Sequence, residues 1–191
     1  FKEANISLMP GLIGVSDIDG DNDLDIVIYG LEYDYNYNYA SRAYSNNGKG
    51  EFTSLDGSNF NGSIEVNAFI DVDGDGDDDL LTAGKNVLSN LYLNDGNANY
   101  FPDTAFNVQK NLVNAKISVA DVDNDGDNDF LLTGYDRLIN EPFSKIYLND
   151  SNSKFHVDTT NSFPSFGLYD PVQIIFEDLN NDNAVDLLLT D

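Results

Sequence analysis

Asp71-Val72-Asp73-Gly74-Asp75-Gly76-Asp77-Asp78-Asp79 sets six acidic residues in nine positions and runs straight into the apolar Leu80-Leu81-Thr82. The pattern is not unique to this stretch. Closely similar nine-residue segments occupy Asp17–Asp25, Asp121–Asp129 and Asp178–Asp186, so the segments begin 54, 50 and 57 residues apart. Each is followed by a short apolar run: Ile26-Val27-Ile28-Tyr29, Leu80-Leu81-Thr82, Phe130-Leu131-Leu132 and Leu187-Leu188-Leu189. Three of these runs end in a glycine, at Gly30, Gly84 and Gly134. Further on come Ala43-Tyr44-Ser45-Asn46, Leu91-Tyr92-Leu93-Asn94 and Ile146-Tyr147-Leu148-Asn149, and then an aromatic at Phe52, Tyr100 or Phe155. Self-similarity at a fixed period of this size is the mark of a repeat architecture.

The runs between the acidic segments are four to seven residues long, rich in Val, Ile, Leu, Tyr and Phe, and bounded by Gly, Asn and Asp. That is strand chemistry. No window holds the helical i, i+3, i+4, i+7 spacing through a dozen residues. Each unit therefore offers four strands: one entering the acidic loop, one leaving it, one carrying the Tyr-x-Asn element and one after the aromatic. The expectation is an all-β chain of β-propeller blades, each of four antiparallel strands. A β-sandwich is the runner-up, but it gives no reason for the same loop at one place in every unit.

Read in this phase, residues 1–191 form a single repeat array, with repeats at 11–60, 61–110, 111–168 and a partial one at 169–191. Residues 1–10 resemble the last strand of a preceding blade. Three full repeats flanked by two partial ones are too few to close a propeller of ordinary size. The stretch thus reads as a piece of something longer, or as a chain able to associate through its incomplete blades, whose open strand edges invite pairing.

The spacing of the acidic residues carries chemistry. Calcium takes six to eight hard oxygen ligands, and one short loop must curl to gather them. Side chains at loop positions 1, 3, 5 and 9 can point inward while position 7 offers its backbone carbonyl. These are Asp17, Asp19, Asp21, Asp25 and Asp23 in the first loop, and Asp71, Asp73, Asp75, Asp79 and Asp77 in the second. The third has Asp121, Asp123, Asp125, Asp129 and Asp127, and the fourth Asp178, Asn180, Asp182, Asp186 and Ala184. Ala184 fits a position that contributes only a carbonyl. Positions 4 and 6 hold only Gly or Asn (Gly20 and Asn22, Gly74 and Gly76, Asn124 and Gly126, Asn181 and Asn183), the residues that best tolerate a left-handed backbone. Merely solvated acidic turns would have no need of them. An EF-hand would require a bidentate Glu at position 12, between helices; here that position is Ile28, Thr82, Leu132 or Leu189, inside strand-like runs. About four Ca2+ ions are expected.

Asp-x-Asp-x-Asp-Gly-x-x-Asp-Leu before a strand resembles the FG-GAP/VCBS repeat of integrin-type β-propellers, and the likeness extends over nearly the whole chain. The resemblance implies calcium in the hairpin between the first two strands of each blade, held by the residues just named. The Phe-Gly and Gly-Ala-Pro marks of the integrin form are missing around most loops. That favours the VCBS-like form common in secreted bacterial proteins.

Bulk composition narrows the functional classes. The net charge is −25, with thirty-four acidic residues against nine basic ones, which excludes nucleic acid as a partner. Nineteen of those acidic residues lie in the four loops, so bound cations are the simplest way to offset the self-repulsion. At 41% apolar and 12% aromatic the chain can still bury a core. It has no cysteine, which removes disulfides and thiolate zinc sites, and no apolar run long enough for a membrane span. No charged-then-apolar leader follows Phe1, so any secretion signal is expected outside this stretch. His156 is the lone histidine, which removes a multi-histidine centre, and it reads as a strand residue. Tyr33, Tyr35, Tyr37 and Tyr39 alternate along one segment and read either as a stacking face for sugar or protein or as an extended hairpin packed on a neighbour. Asn5-Ile6-Ser7, Asn61-Gly62-Ser63 and Asn149-Asp150-Ser151 match the N-glycosylation pattern by chance in so Asn-rich a chain. The expected function is a calcium-binding, non-enzymatic module of a secreted or cell-surface protein, serving adhesion or the binding of a protein or carbohydrate ligand. The alternatives are the propeller portion of a polysaccharide-acting enzyme, or a lectin.

Overall fold

A computed structural model describes residues 11–31, 39–55, 63–85, 89–106, 108, 112–151, 153–160 and 173–190. Every regular element in these residues is a strand. The first sheet holds β1 (Gly11–Ser16), β2 (Asp25–Leu31), β3 (Tyr39–Asn46) and β4 (Phe52–Leu55). The second holds β5 (Ser63–Ile70), β6 (Asp79–Lys85), β7 (Asn90–Asn94) and β8 (Tyr100–Pro102). The third holds β9 (Leu112–Ala120), β10 (Asp129–Asp136), β11 (Glu141–Asn149) and β12 (Phe155–Val157). The hairpin of β13 (Gln173–Glu177) and β14 (Asp186–Thr190) forms a two-stranded fourth. Each sheet keeps chain order, and all neighbours are antiparallel, so every unit is an up-and-down meander of the kind a propeller blade uses.

The strands fall where the sequence pattern places them, with one shift. The fourth strand begins on the aromatic itself, at Phe52, Tyr100 and Phe155, instead of following it. Residues 1–10, expected as a last strand of a preceding blade, lie outside the described residues, as does the tyrosine-rich stretch up to residue 38. Among the described residues no helix is long and apolar enough to cross a membrane.

The second strands explain the apolar runs. Val27, Ile28 and Tyr29, then Leu80, Leu81 and Ala83, then Phe130, Leu131 and Leu132 are all buried, so both faces of these strands are covered. A strand covered on both faces reads as a continuous apolar run and not as an alternation. The core correspondingly lies between sheets. Ile18, Val27 and Tyr29 of the first unit meet Ile64, Leu80 and Tyr92 of the second. Val72, Leu81 and Leu91 meet Phe130, Leu132 and Tyr147 of the third. Leu131 and Ile146 meet Ile174 and Phe176 of the fourth. First strands stand side by side, β5 against β1 and β9, and β9 against β13. Polar ties cross the same seams: the Ser16 hydroxyl donates to Asp78, Asn114 N–H to Glu65 Oε2 at 2.8 Å, and Phe176 N–H to Ser118 Oγ at 3.0 Å. Glu65 and Asn114 sit at the irregularities of β5 and β9, where an extra residue interrupts the ladder, so two bulges meet at one hydrogen bond.

Candidate metal centre

Each acidic loop joins the first strand of a unit to the second. Its neck is closed by a strand pair whose second member is position 9: Ser16 with Asp25, Ile70 with Asp79, Ala120 with Asp129 and Glu177 with Asp186. Inside the loop the carboxylates first organise the backbone. Asp17 accepts from the N–H groups of Gly20 at 2.9 Å, Asp21 at 3.1 Å and Asn22 at 2.8 Å. Asp71 accepts from Gly74 and Gly76, Asp121 from Asp125 and Gly126, and Asp178 from Asp182 and Asn183. At position 5, Asp21, Asp75, Asp125 and Asp182 each accept from the N–H two residues on. Positions 4 and 6 all adopt positive φ, from 60° at Asn181 to 99° at Gly126, the left-handed geometry that Gly and Asn best tolerate.

The outcome is a cradle. In the first three loops, carboxylate oxygens of positions 1, 3 and 9 lie within 4.8 Å of one another: Asp17, Asp19 and Asp25; Asp71, Asp73 and Asp79; Asp121, Asp123 and Asp129. These groups could hold a metal ion. Asp21, Asp75 and Asp125 at position 5 fall outside the converging trios. The side chains of Asp23 and Asp77 at position 7 turn toward the hairpin between the third and fourth strands, where a Cβ on Gly48 or Gly96 would run into their carboxylates. In the third unit Ser151 takes the glycine's place, at φ 63°, and its hydroxyl donates to Asp127. With the side chains turned to that hairpin, the position-7 carbonyl is the group that remains within the loop for a cation. The fourth loop repeats the turn bonds of Asp178 and Asp182 but assembles no group of three acids, since Asn180 stands at position 3.

Crowding shows in the electrostatics. Burial, opposed by the Asn94 and Val72 N–H groups and reinforced by Asp73 and Asp75, pushes the Asp79 carboxyl up to about 7. Burial likewise raises Asp25 and Asp129. Asp73 and Asp123 rise through burial and then through the charges of Asp75 and Asp125. Asp178 goes the other way: burial acts to raise it, but the N–H groups of four following residues, led by Asn183, hold it below the usual range. Asp19 supplies the clearest test of fit. Its Oδ2 accepts from Ser45 Oγ at 2.7 Å, while its Oδ1 is buried and has no hydrogen-bond partner among the described residues. A buried carboxylate oxygen without a donor is costly unless a cation faces it. The donor set, all hard oxygen, suits such an ion.

Two features of the site escape the acidic pattern. Position 2 is aliphatic in every loop, and Ile18 and Val72 are almost fully buried, wedging the loop into the seam between units. Its N–H donates to Oδ2 of position 9, at 2.9 Å from Ile18, 3.0 Å from Val72, 2.7 Å from Val122 and 3.1 Å from Leu179. Oδ1 of the same carboxylate accepts from the N–H of the Tyr-x-Asn asparagine, at 2.7 Å from Asn46 and Asn94 and 2.8 Å from Asn149. Position 9 is thus a neck that holds two strands as well as a candidate ligand. The recurrence of Tyr-x-Asn was the available signal. It also disposes of one glycosylation match, because Asn149 is buried and committed. His156 lies in β12, exposed, with Nδ1 3.0 Å from Asp150.

Set beside known families, the chain matches the FG-GAP-like repeat three times, over residues 17–82, 71–132 and 121–189. No curated protein matches it. Each match opens on the first aspartate of one loop and closes in the strand that leaves the next, in β6, β10 and β14, so the matched unit is the structural one counted from cradle to cradle. The chain belongs to the FG-GAP-like repeat family, keeping its period from Asp17 to Leu189.

Proposed function

We propose that this chain is a calcium-binding propeller module of a secreted or cell-surface protein, in which calcium in the hairpin loops rigidifies the blades that present an adhesive or ligand-binding surface. The observation that carries the reading is the unpartnered, buried Oδ1 of Asp19 inside a trio of carboxylates that two further loops repeat. Calcium suits the loops better than magnesium does. Magnesium demands a tight octahedron and gives up water reluctantly, whereas each loop offers many oxygens on a flexible turn.

The ions are structural and the module is not catalytic. The carboxylates that converge among the described residues are those of the loops, and the position-9 members Asp25, Asp79 and Asp129 are held by backbone N–H groups that close the neck. The ligand is a protein or a carbohydrate, and a glycan array run with and without calcium separates the two. The calcium reading is tested by thermal unfolding in excess chelator, in magnesium and in calcium. A ligand bound only by the native state adds RT ln(1 + [L]/Kd), about 2.7 kcal/mol per site at a hundred times Kd. Calcium should raise the melting temperature well above both other conditions. A melt that is the same in all three would overturn the reading.

A further inference from the structure

The asparagine that ends each third strand connects one loop to the next. Asn94 offers three donors and places each one. Its backbone N–H goes to Asp79 Oδ1 at 2.7 Å, one amide N–H to the Asp78 carbonyl at 3.2 Å, and the other across the seam to the Ile18 carbonyl at 3.1 Å. Ile18 is position 2 of the preceding loop, and its own N–H holds Asp25 Oδ2 at 2.9 Å. The next unit repeats this: Asn149 N–H holds Asp129 at 2.8 Å, its amide reaches the Val72 carbonyl at 3.0 Å, and Val72 N–H holds Asp79 Oδ2 at 3.0 Å. An unbroken line of hydrogen bonds therefore runs from the Asp25 carboxylate through Ile18 and Asn94 to Asp79, and on through Val72 and Asn149 to Asp129.

Nearly all of this line is shielded from water. Ile18, Asp25, Val72, Asp79, Asn94, Asp129 and Asn149 are all buried. At Asn94 the carboxamide serves both units, one N–H going to the home Asp78 carbonyl and the other to the neighbour's Ile18 carbonyl, and a carboxylate or hydroxyl lacks the second donor. Inside a packed seam, a shift of the position-9 carboxylate cannot be absorbed by solvent. It moves the peptide of position 2 and the asparagine that grips it.

We propose that Asn94 and Asn149 are positioning residues that couple cation binding in consecutive loops, so that filling one cradle sets the position-9 carboxylate of the next. The proposal rests on the calcium reading above and adds to it a dependence between sites. Coupling of this kind typically changes affinity by about 5- to 150-fold, and it acts equally in both directions.

The test is a calcium titration of the full chain followed by amide NMR, in which Gly20, Gly74 and Gly126 report the first, second and third loops separately. Disabling the second loop with Asp73→Asn should weaken calcium binding at Gly20 and at Gly126 about fivefold or more. Asn94→Ala keeps the backbone bond to Asp79 and removes the bond to Ile18; it should leave the first loop deaf to Asp73→Asn while the third still responds. If Asn94→Ala does not fold, Asn149→Ala gives the same reading on the other side, leaving the third loop deaf to Asp73→Asn while the first still responds; a loop that still responds after its linking asparagine is replaced would overturn the asparagine's role. Calcium shifts at all three glycines, with the Gly20 and Gly126 curves unmoved by Asp73→Asn, would overturn the coupling and leave the calcium reading standing. No calcium shift at any of them would overturn both.

Discussion

Asp79 concentrates the tension of the site in one carboxylate. It is buried, accepts two N–H groups and faces Asp71 and Asp73, and its carboxyl is pushed up to about 7 chiefly by burial. An unfolded aspartate titrates near 3.9, so the folded state holds its proton more tightly. A group raised in this way contributes stability that is fully present below the unfolded value and lost as pH rises through the folded one. In chelator, therefore, stability and with it the melting temperature should fall between pH 5 and pH 8, the stability lost being about 1.36 kcal/mol per unit of separation between the two values. Asp79→Asn should flatten that slope. Calcium should reverse it, because the ion requires the deprotonated carboxylate and is displaced by protons. Melting curves at four pH values, with chelator and with calcium, check the sign. A stability in chelator that rises from pH 5 to pH 8 would contradict the assigned environment.

At the scale of elements, the loop and the hairpin opposite it form one device. Gly48 and Gly96 have φ of 70° and 71°, and their missing side chains leave room for the Asp23 and Asp77 carboxylates. Gly96→Ala should cost about 1–2 kcal/mol for the left-handed backbone alone. It should also weaken calcium at the second loop, because the displaced Asp77 carries the position-7 carbonyl with it. Calorimetry on this variant beside Gly50→Ala, which has a similar φ of 73° but open space around it, separates the two contributions. Equal losses of calcium affinity in both would refute the packing argument. This is also where the sequence was only partly readable. The acidic spacing, the Gly and Asn at positions 4 and 6 and the apolar second strands follow from local chemistry, and they told loop from strand directly. What Asn94 and Ile18 do was hidden, because their partners lie 76 residues apart and meet only once two units are stacked. The bulges at Glu65 and Asn114 were hidden for the same reason, since an extra residue in a strand leaves no mark until its partner strand is known.

For the whole molecule, the core and the candidate cation sites share the same seams. Ile18 belongs both to the cluster between the first two units and to the neck of the first loop, and Val72 does the same between the second and third units. Stability in such an array is a sum of unit and nearest-neighbour interface contributions. A cation bound in a loop would therefore act on the interfaces as well. The net charge of −25 strengthens the effect, since 19 acidic residues sit in the loops and repel one another there without counter-charge. The fourth loop stands apart. It has Asn180 for a carboxylate, no trio of acids, and in Asp186 a position-9 carboxylate that is only partly buried. Calorimetric titration of calcium into the chelator-stripped 191-residue chain tests the central claim most directly. The account predicts three tight sites, one for each carboxylate trio, and a weaker fourth that Asp186→Ala abolishes without disturbing the three. The absence of saturable calcium binding, or binding left intact when Asp19, Asp73 and Asp123 are all replaced by Asn, would contradict it.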